Sequence, residues 1–410
     1  MENNEILDRL SDDLETIREI GTISGKPGVN RVGYTSQESG AHEFVKAEME
    51  RLGLCVRTDT VGNLYAVFAG KSQQKIAFGS HLDSVPNGGN YDGGLGVVMG
   101  LEAMRQLRDV KLNHSLELVV WRCEESSRFG SGLVGSKLAT GYSGPDLLNL
   151  KDGEGITLNE AIAHAGFGCE PSKPLKAEDY AAYVEPHIEQ SDQLVKLGQS
   201  VGIVTGIRAP VRYEVTVLGQ WNHSGALEMR YRKDALVAAS RMIVSVYEHA
   251  LEYEKNGART VATVGKLGVP EGAINRVPGE AEFLLDIRGM NVEQRDKLEA
   301  DILEDLRYHS RMASTRVRFN EIERAMPVEM YEDSIVLIEK AAERLGITTT
   351  RLPSYAGHDA QSMHALGVPV SMIFVKNYGG SHNPQENINP KDAVVGTRLL
   401  VETIKMVDAS

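Results

Sequence analysis

The chain has 410 residues, with 44 Lys and Arg against 57 Asp and Glu, a formal net charge of −13. That length suits two or three domains with cores of their own, and the excess of acid excludes a nucleic-acid binder, which needs a basic face for phosphates. No apolar run reaches the ~18 residues that span a bilayer, the acidic N-terminus is unlike a signal peptide, and three scattered cysteines (Cys55, Cys123, Cys169) read as the reduced thiols of a cytoplasmic protein.

Ile6, Leu7, Leu10, Leu14, Ile17 and Ile20 recur at helical spacing and predict a first helix over 5–20. A second is expected over 40–53, closed by Gly53. Residues 54–59 and 63–69 flank Val61-Gly62 as a hairpin, and 75–80 form a short apolar strand that runs into His81. A helix over 94–107 and a strand over 115–122 follow, so strands alternate with helices as in an α/β sheet covered on both faces. From 211 to 325 the pattern changes to strand 212–218, helix 234–252, strands 260–266 and 280–287, helix 292–309 and strand 315–321. The order β-α-β-β-α-β is that of a ferredoxin-like unit. Helix 334–345, strand 368–374 and helix 394–407 then resume the first pattern. We therefore expect a discontinuous α/β domain, 1–210 and 326–410, with an inserted ferredoxin-like domain at 211–325.

Four clusters can carry chemistry. In Gly79-Ser80-His81-Leu82-Asp83, the histidine ends a strand, where open α/β sheets bind ligands, and Asp83 can accept its second ring N–H. Asn87-Gly-Gly-Asn-Tyr-Asp92-Gly places a carboxylate in a glycine-rich turn, where it can bridge cations; the alternative is a helix-capping aspartate. Glu124-Glu125-Ser-Ser-Arg128-Phe follows a buried-type strand, so one carboxylate can bind a metal while the other acts as a base; the alternative is a solvated turn with Arg128 paired to a glutamate. Glu185-Pro-His187-Ile-Glu189-Gln190 is extended, with Glu185, His187 and Glu189 on one face. Gly357-His358-Asp-Ala-Gln and Ser381-His382-Asn-Pro complete the set. Imidazoles with carboxylates and no thiolate suit a divalent transition metal.

With Asn222-His223-Ser-Gly added, these segments in this order resemble the hydantoinase/carbamoylase branch of the M20-type metallohydrolases, over nearly the whole chain. That branch includes N-carbamoyl-L-amino-acid hydrolases, allantoate amidohydrolases and β-ureidopropionases. The resemblance implies a mixed-sheet, metallopeptidase-like catalytic domain, with the insertion serving as lid and dimerisation domain. It implies two divalent ions, zinc first with manganese, cobalt or nickel as alternatives. His81, Asp92 and His187 would hold one, and the bridging Asp92 with Glu125 and His382 the other. Glu124 would be the general base and acid, with Asp83 behind His81. His223 would stabilise the oxyanion, Asn275 and Arg288 would hold a substrate carboxylate with Arg212 as a further contact, and Gln190 and His358 would line the metal side.

Where that branch often reads His-Ala-Gly-Thr-Thr-Pro-Met, this chain has His223-Ser-Gly-Ala-Leu227-Glu228-Met. This change touches neither ligands nor base, and we expect Leu227 or Glu228 to reshape a side-chain pocket. The leading expectation is hydrolysis of an N-carbamoyl (ureido) group from a small amino acid. An N-acyl-amino-acid amidase or dipeptidase is the second reading, and a non-catalytic binding protein with broken ligands is the third. The expected partners are a small ureido or amide substrate bearing a carboxylate and a second copy of the chain, with no nucleic acid and no membrane.

Overall fold

The computed structural model describes residues 3–144, 146–168 and 174–410; Cys169 lies outside them. Cys55 and Cys123 are free thiols, the first exposed and the second buried. The chain divides into two compact units, Met1–Ile207 with Glu329–Ser410, and Arg208–Val328.

In chain order the main elements are α1 (Asn3–Gly21), α2 (Ser36–Arg51), β1 (Cys55–Thr58), β2 (Leu64–Phe68), β3 (Lys75–His81), α3 (Gly94–Leu107), β4 (Ser115–Trp121), β5 (Tyr180–Ile188), β6 (Val201–Ile207) and β7 (Ala209–Leu218). Then come α4 (Ala235–Lys255), β8 (Thr260–Gly268), β9 (Glu280–Gly289), α5 (Val292–Met312), β10 (Arg316–Arg324), α6 (Glu332–Leu345), β11 (Arg351–Ser354), α7 (Ala360–Leu366), β12 (Val370–Val375) and α8 (Pro390–Ala409).

In the first unit the strands lie in the order β1-β2-β4-β3-β5-β12-β6, with β11 also on β6. The central run β4-β3-β5-β12 is parallel, whereas β1 on β2, β2 on β4 and β12 on β6 are antiparallel, so the sheet is mixed. Every residue of β4 and β12 is buried, on both alternating faces, as expected of strands covered on two sides. The second helix starts at Ser36, four residues before the expected Gly40, because Thr35 Oγ1 accepts the Glu38 N–H and caps it. Strands β6 and β11 were not expected. Val201-Gly-Ile-Val-Thr-Gly-Ile lacks the alternation that marks a strand by itself, and only its partners make it one.

Helix α3 lies close to the strand that carries His187. A Cβ on Gly96 would sit 2.0 Å from the Pro186 carbonyl oxygen, so nothing larger than glycine fits. Gly96→Ala should destabilise the protein by roughly 1–3 kcal/mol through overpacking. A denaturant titration read by intrinsic fluorescence will check this, and an unchanged midpoint would mean that the helix can shift freely.

The second unit has the sheet order β10-β7-β9-β8, all antiparallel, the split β-α-β-β-α-β arrangement. One sheet face packs on the helices through Val211, Tyr213, Val215, Val217, Phe283 and Leu285 against Ala238, Met242, Leu298 and Ile302. Alternation then puts Arg212, Asp286 and Arg288 on the opposite face.

Candidate metal centre and catalytic site

Four neighbouring parallel strands end at one edge of the first unit's sheet, and each end supplies a donor. His81 closes β3, His187 is the penultimate residue of β5, Glu124 and Glu125 follow β4, and His382 lies in the loop after β12. The chain leaves β3 for β4 on one side, and β5 lies on the other. Donors therefore gather at the reversal of strand order, where such sheets bind ligands. Asp92 comes from the loop between β3 and α3. Its carboxylate does not cap the helix, whose N-cap is Gly93 without a side-chain cap bond. Gly93 has φ +66°, and a Cβ there would lie 2.4 Å from the His81 ring. This loop therefore approaches the imidazole only because it is glycine.

The donor spacing is that of a coordination shell. His81 Nε2 and His187 Nε2 are 3.5 Å apart, and Asp92 Oδ1 is 3.6 Å from the first and 3.2 Å from the second. Ligands held at about 2.0–2.1 Å around a tetrahedral ion are separated by about 3.3 Å. Asp92 presents its other oxygen to His382 Nε2 at 3.5 Å, and His382 meets Glu125 Oε1 at 3.0 Å. Asp92 thus belongs to two groups able to hold a metal, His81–Asp92–His187 and Asp92–Glu125–His382. The tautomers also fit. His81 Nδ1–H donates to the Asp83 carbonyl (3.1 Å) and His187 Nδ1–H to the Ile188 carbonyl (3.0 Å), which frees both Nε2 atoms as ligands.

Glu124 and Glu125 are 8% and 7% exposed, so the solvated turn considered from sequence is overturned. Arg128 pairs with Asp152 (3.1 Å) and the Gly33 carbonyl (2.7 Å) rather than with either glutamate. Glu124 Oε2 lies 3.8 Å from His81 Nε2. Burial pushes its carboxyl well above the usual carboxylate range; His81 opposes the shift and Glu125 adds to it.

Asp83 meets the His81 ring N–H with its backbone carbonyl, and its carboxylate serves other groups. Beside His81, with Oδ1 3.4 Å from Nδ1, its oxygens accept the backbone N–H of Glu124 (2.9 Å) and of Glu125 (3.0 Å). Just before them Cys123 adopts φ +51°, a left-handed conformation costly for a residue with a Cβ. Its N–H donates to Glu38 Oε1 (2.9 Å), and the buried Glu38 is paired with Arg122 at 2.9 Å. Two buried carboxylates therefore hold three successive amides and aim the glutamate pair. Glu38 was missed; its only signal in sequence is its place three residues after Thr35, which reads as a helix start.

Gln190 Nε2–H donates to Asp92 Oδ2 (2.7 Å), and His358 packs edge-on to His187 with ring centroids 4.5 Å apart while its Nε2 meets Ser354 Oγ at 2.7 Å. Both border the donors. Glu189 is a correction: β5 ends at Ile188, and its carboxylate turns to cap the short helix Gln193–Leu197 through the N–H groups of Gln193 and Leu194 (2.9 and 2.8 Å). Glu185 stays on the His187 side and accepts the Ala360 N–H (2.7 Å). Cys123 is fully buried and its thiol is pushed well up by burial, which fits a packing role.

Within the second unit, His223 and Asn275 meet at a two-residue ladder, where His223 faces Arg276 and Ser224 N–H donates to the Asn275 carbonyl (3.0 Å). His223 Nδ1 accepts the N–H groups of Gly225 (3.0 Å) and Ala226 (3.2 Å), which leaves Nε2–H as a donor on an exposed ring. Glu228 pairs with Arg230 at the surface (2.8 Å), and Arg232 Nε–H clasps the Leu227 carbonyl (3.1 Å). Arg288 makes a two-pronged bond to Asp286, both arms 2.9 Å, and Arg212 joins the same carboxylate (3.1 Å) and Glu323 (2.7 Å).

His382 carries a strong pH consequence. Its hydrogen bond to Glu125 outweighs partial burial and lifts its pKa to about 9. This bond stabilises the metal-free protein fully below pH 6.5, and the contribution fades as pH rises through 9. A metal needs the neutral ring. Affinity at this group should therefore rise about tenfold per pH unit from 6.5 towards 9 for the one proton displaced, then level off. Competition titrations with a chelator of known affinity across that range will show the slope; a flat profile would mean that His382 is not a ligand.

The fold is that of a metallopeptidase-like α/β protein, with side-chain groups able to hold a metal. The sequence profile of Peptidase family M20/M25/M40 matches residues 77–406. An N-carbamoyl-L-amino acid amidohydrolase of Geobacillus stearothermophilus is 35% identical over 95% of this chain and 96% of its own. The allantoate amidohydrolase of Bacillus subtilis is 34% identical over 96% of each chain. The crystal structure of a hydantoinase/carbamoylase family amidase from Burkholderia vietnamiensis superposes with a TM-score of 0.88 at 31% identity, covering 98% of this chain and 96% of that one. The chain belongs to the M20 family, in its hydantoinase/carbamoylase branch, and is an amidohydrolase acting on non-peptide carbon–nitrogen bonds. Among the described residues, no helix is long and apolar enough to cross a membrane.

Proposed function

We propose that the protein hydrolyses the N-carbamoyl group of a small amino acid, turning one ureido acid and one water into the amine, CO2 and ammonia. The observation that carries this reading is Glu124, buried and 3.8 Å from a donor of the His81–Asp92–His187 triangle, with the Asp92–Glu125–His382 group sharing Asp92. Two divalent ions, zinc first, would supply a lowered water pKa and polarisation of the scissile carbonyl. Glu124 takes the water's proton and returns it to the leaving nitrogen. His223 Nε2–H is a suitable donor to the developing oxyanion. Asn275 and Arg288 would hold a substrate carboxylate, which would have to exchange with the two-pronged Asp286 bond to use the Arg288 fork, with Arg212 on the same acid.

We read the second unit as lid and dimerisation domain. Val237, Val244 and Tyr247 are exposed on α4, and β8 is an unpaired sheet edge, so a second copy would cover apolar surface and pair the edge. Free Cys55 and Cys123 accord with a cytoplasmic location.

The test is ammonia release by zinc-loaded protein from N-carbamoyl-L- and D-amino acids, N-carbamoyl-β-alanine and allantoate, with N-acetyl amino acids and dipeptides assayed for amine release. Turnover of one N-carbamoyl amino acid class supports the proposal. Turnover confined to allantoate, acyl amides or dipeptides overturns it.

A further inference from the structure

We propose that Glu386 is a positioning residue for metal loading: its buried carboxylate ties the loop carrying Asp92 to the loop carrying His382 and sets the distance between those donors. Glu386 Oε1 accepts two successive backbone N–H groups, Tyr91 (2.7 Å) and Asp92 (3.0 Å). Its other oxygen is 3.0 Å from Ser381 Oγ, and the same hydroxyl contacts the Asp92 carboxylate. The carboxyl group is seated against backbone, since a Cβ on Gly89 would come within 2.1 Å of Oε1. Only 6% of Glu386 is exposed.

The need for such a tie is visible in His382. Its side chain is 50% exposed, so burial does not fix it. Its backbone has φ +61°, after Gly379 (φ +80°) and Gly380 (φ +75°), a loop built from conformations that favour glycine. The two-residue ladder between 377–378 and 387–388 closes the loop at its base. Glu386, next to that ladder, and Ser381, next to His382, both join the loop to the Asp92 turn. Metal donors must hold their places within about 0.2 Å, and partners one step behind the ligands commonly change metal affinity by 10–100-fold.

The inference rests on the two-ion reading above and is tested on the full-length protein with zinc, by competition against a chromogenic chelator. Glu386→Ala should weaken the more loosely held of two ions by about 10–100-fold. Glu386→Gln keeps a carbonyl for the two amides and an NH2 for Ser381 Oγ, so it should load within about threefold of wild type. If Glu386→Ala loads both ions like wild type while its melting temperature falls, the residue is only structural and the proposal is overturned. If Glu386→Gln loses as much affinity as Glu386→Ala, charge rather than position is responsible, and the proposal is again overturned. A wild-type protein that takes up fewer than two zinc ions overturns the two-ion reading itself, and this inference with it.

Discussion

On the function proposed above, Glu124→Gln is expected to lower kcat by about 10²–10⁴-fold, with the zinc content of the zinc-loaded protein unchanged. The amide keeps the shape of the side chain but can no longer take a proton from water. Glu124 is placed for both halves of the transfer because its carboxylate is buried and lies 3.8 Å from His81 Nε2 in the His81–Asp92–His187 group. Steady-state ammonia assays paired with metal analysis separate this from loss of the centre. Retention of more than a tenth of wild-type kcat would assign the proton transfer to another group.

The second large effect is expected at Asp83. Its two oxygens accept from the Glu124 and Glu125 amides, and Asp83→Asn would turn an NH2 towards one of them. A buried amide left without an acceptor costs about 1–3 kcal/mol. The strained Cys123 just before the pair has no slack to absorb a shift. Stability should fall by about 2–3 kcal/mol and kcat/KM by about 10–100-fold, as for groups that orient ligands. Denaturant midpoints and kinetics on one preparation check both. If stability drops while kinetics hold, the amides carry the fold but do not aim the glutamates.

Much of the first unit was legible in the sequence. Helix α3 was expected over the span observed, because its apolar run is framed by Gly93-Gly94 and the turn after Leu107. The hairpin of β1 and β2 was legible from Val61-Gly62. Gly40 marks a helix boundary in the sequence, but the Thr35 side chain caps α2 four residues earlier. Strand β6 is not legible because a glycine-containing apolar run takes its state from the strands beside it, and β11 is not because Arg351-Leu-Pro-Ser is four residues long and includes a proline.

The sequence by itself determined the candidate donor types and their local settings. His81, Asp92, Glu124, Glu125, His187 and His382 each sit at a strand end or in a glycine-rich or acidic turn, and such settings are fixed by residues within a few positions. Only the tertiary structure decided which buried carboxylate serves which backbone. Asp83 reaches amides 41 and 42 residues away, and Glu386 reaches one 294 residues away, while Glu189, which shares the two-residue spacing of Glu185 and His187, caps a helix instead. Strand order brings those segments together. No periodicity records that order, because it follows from which apolar faces are buried together across the whole sheet.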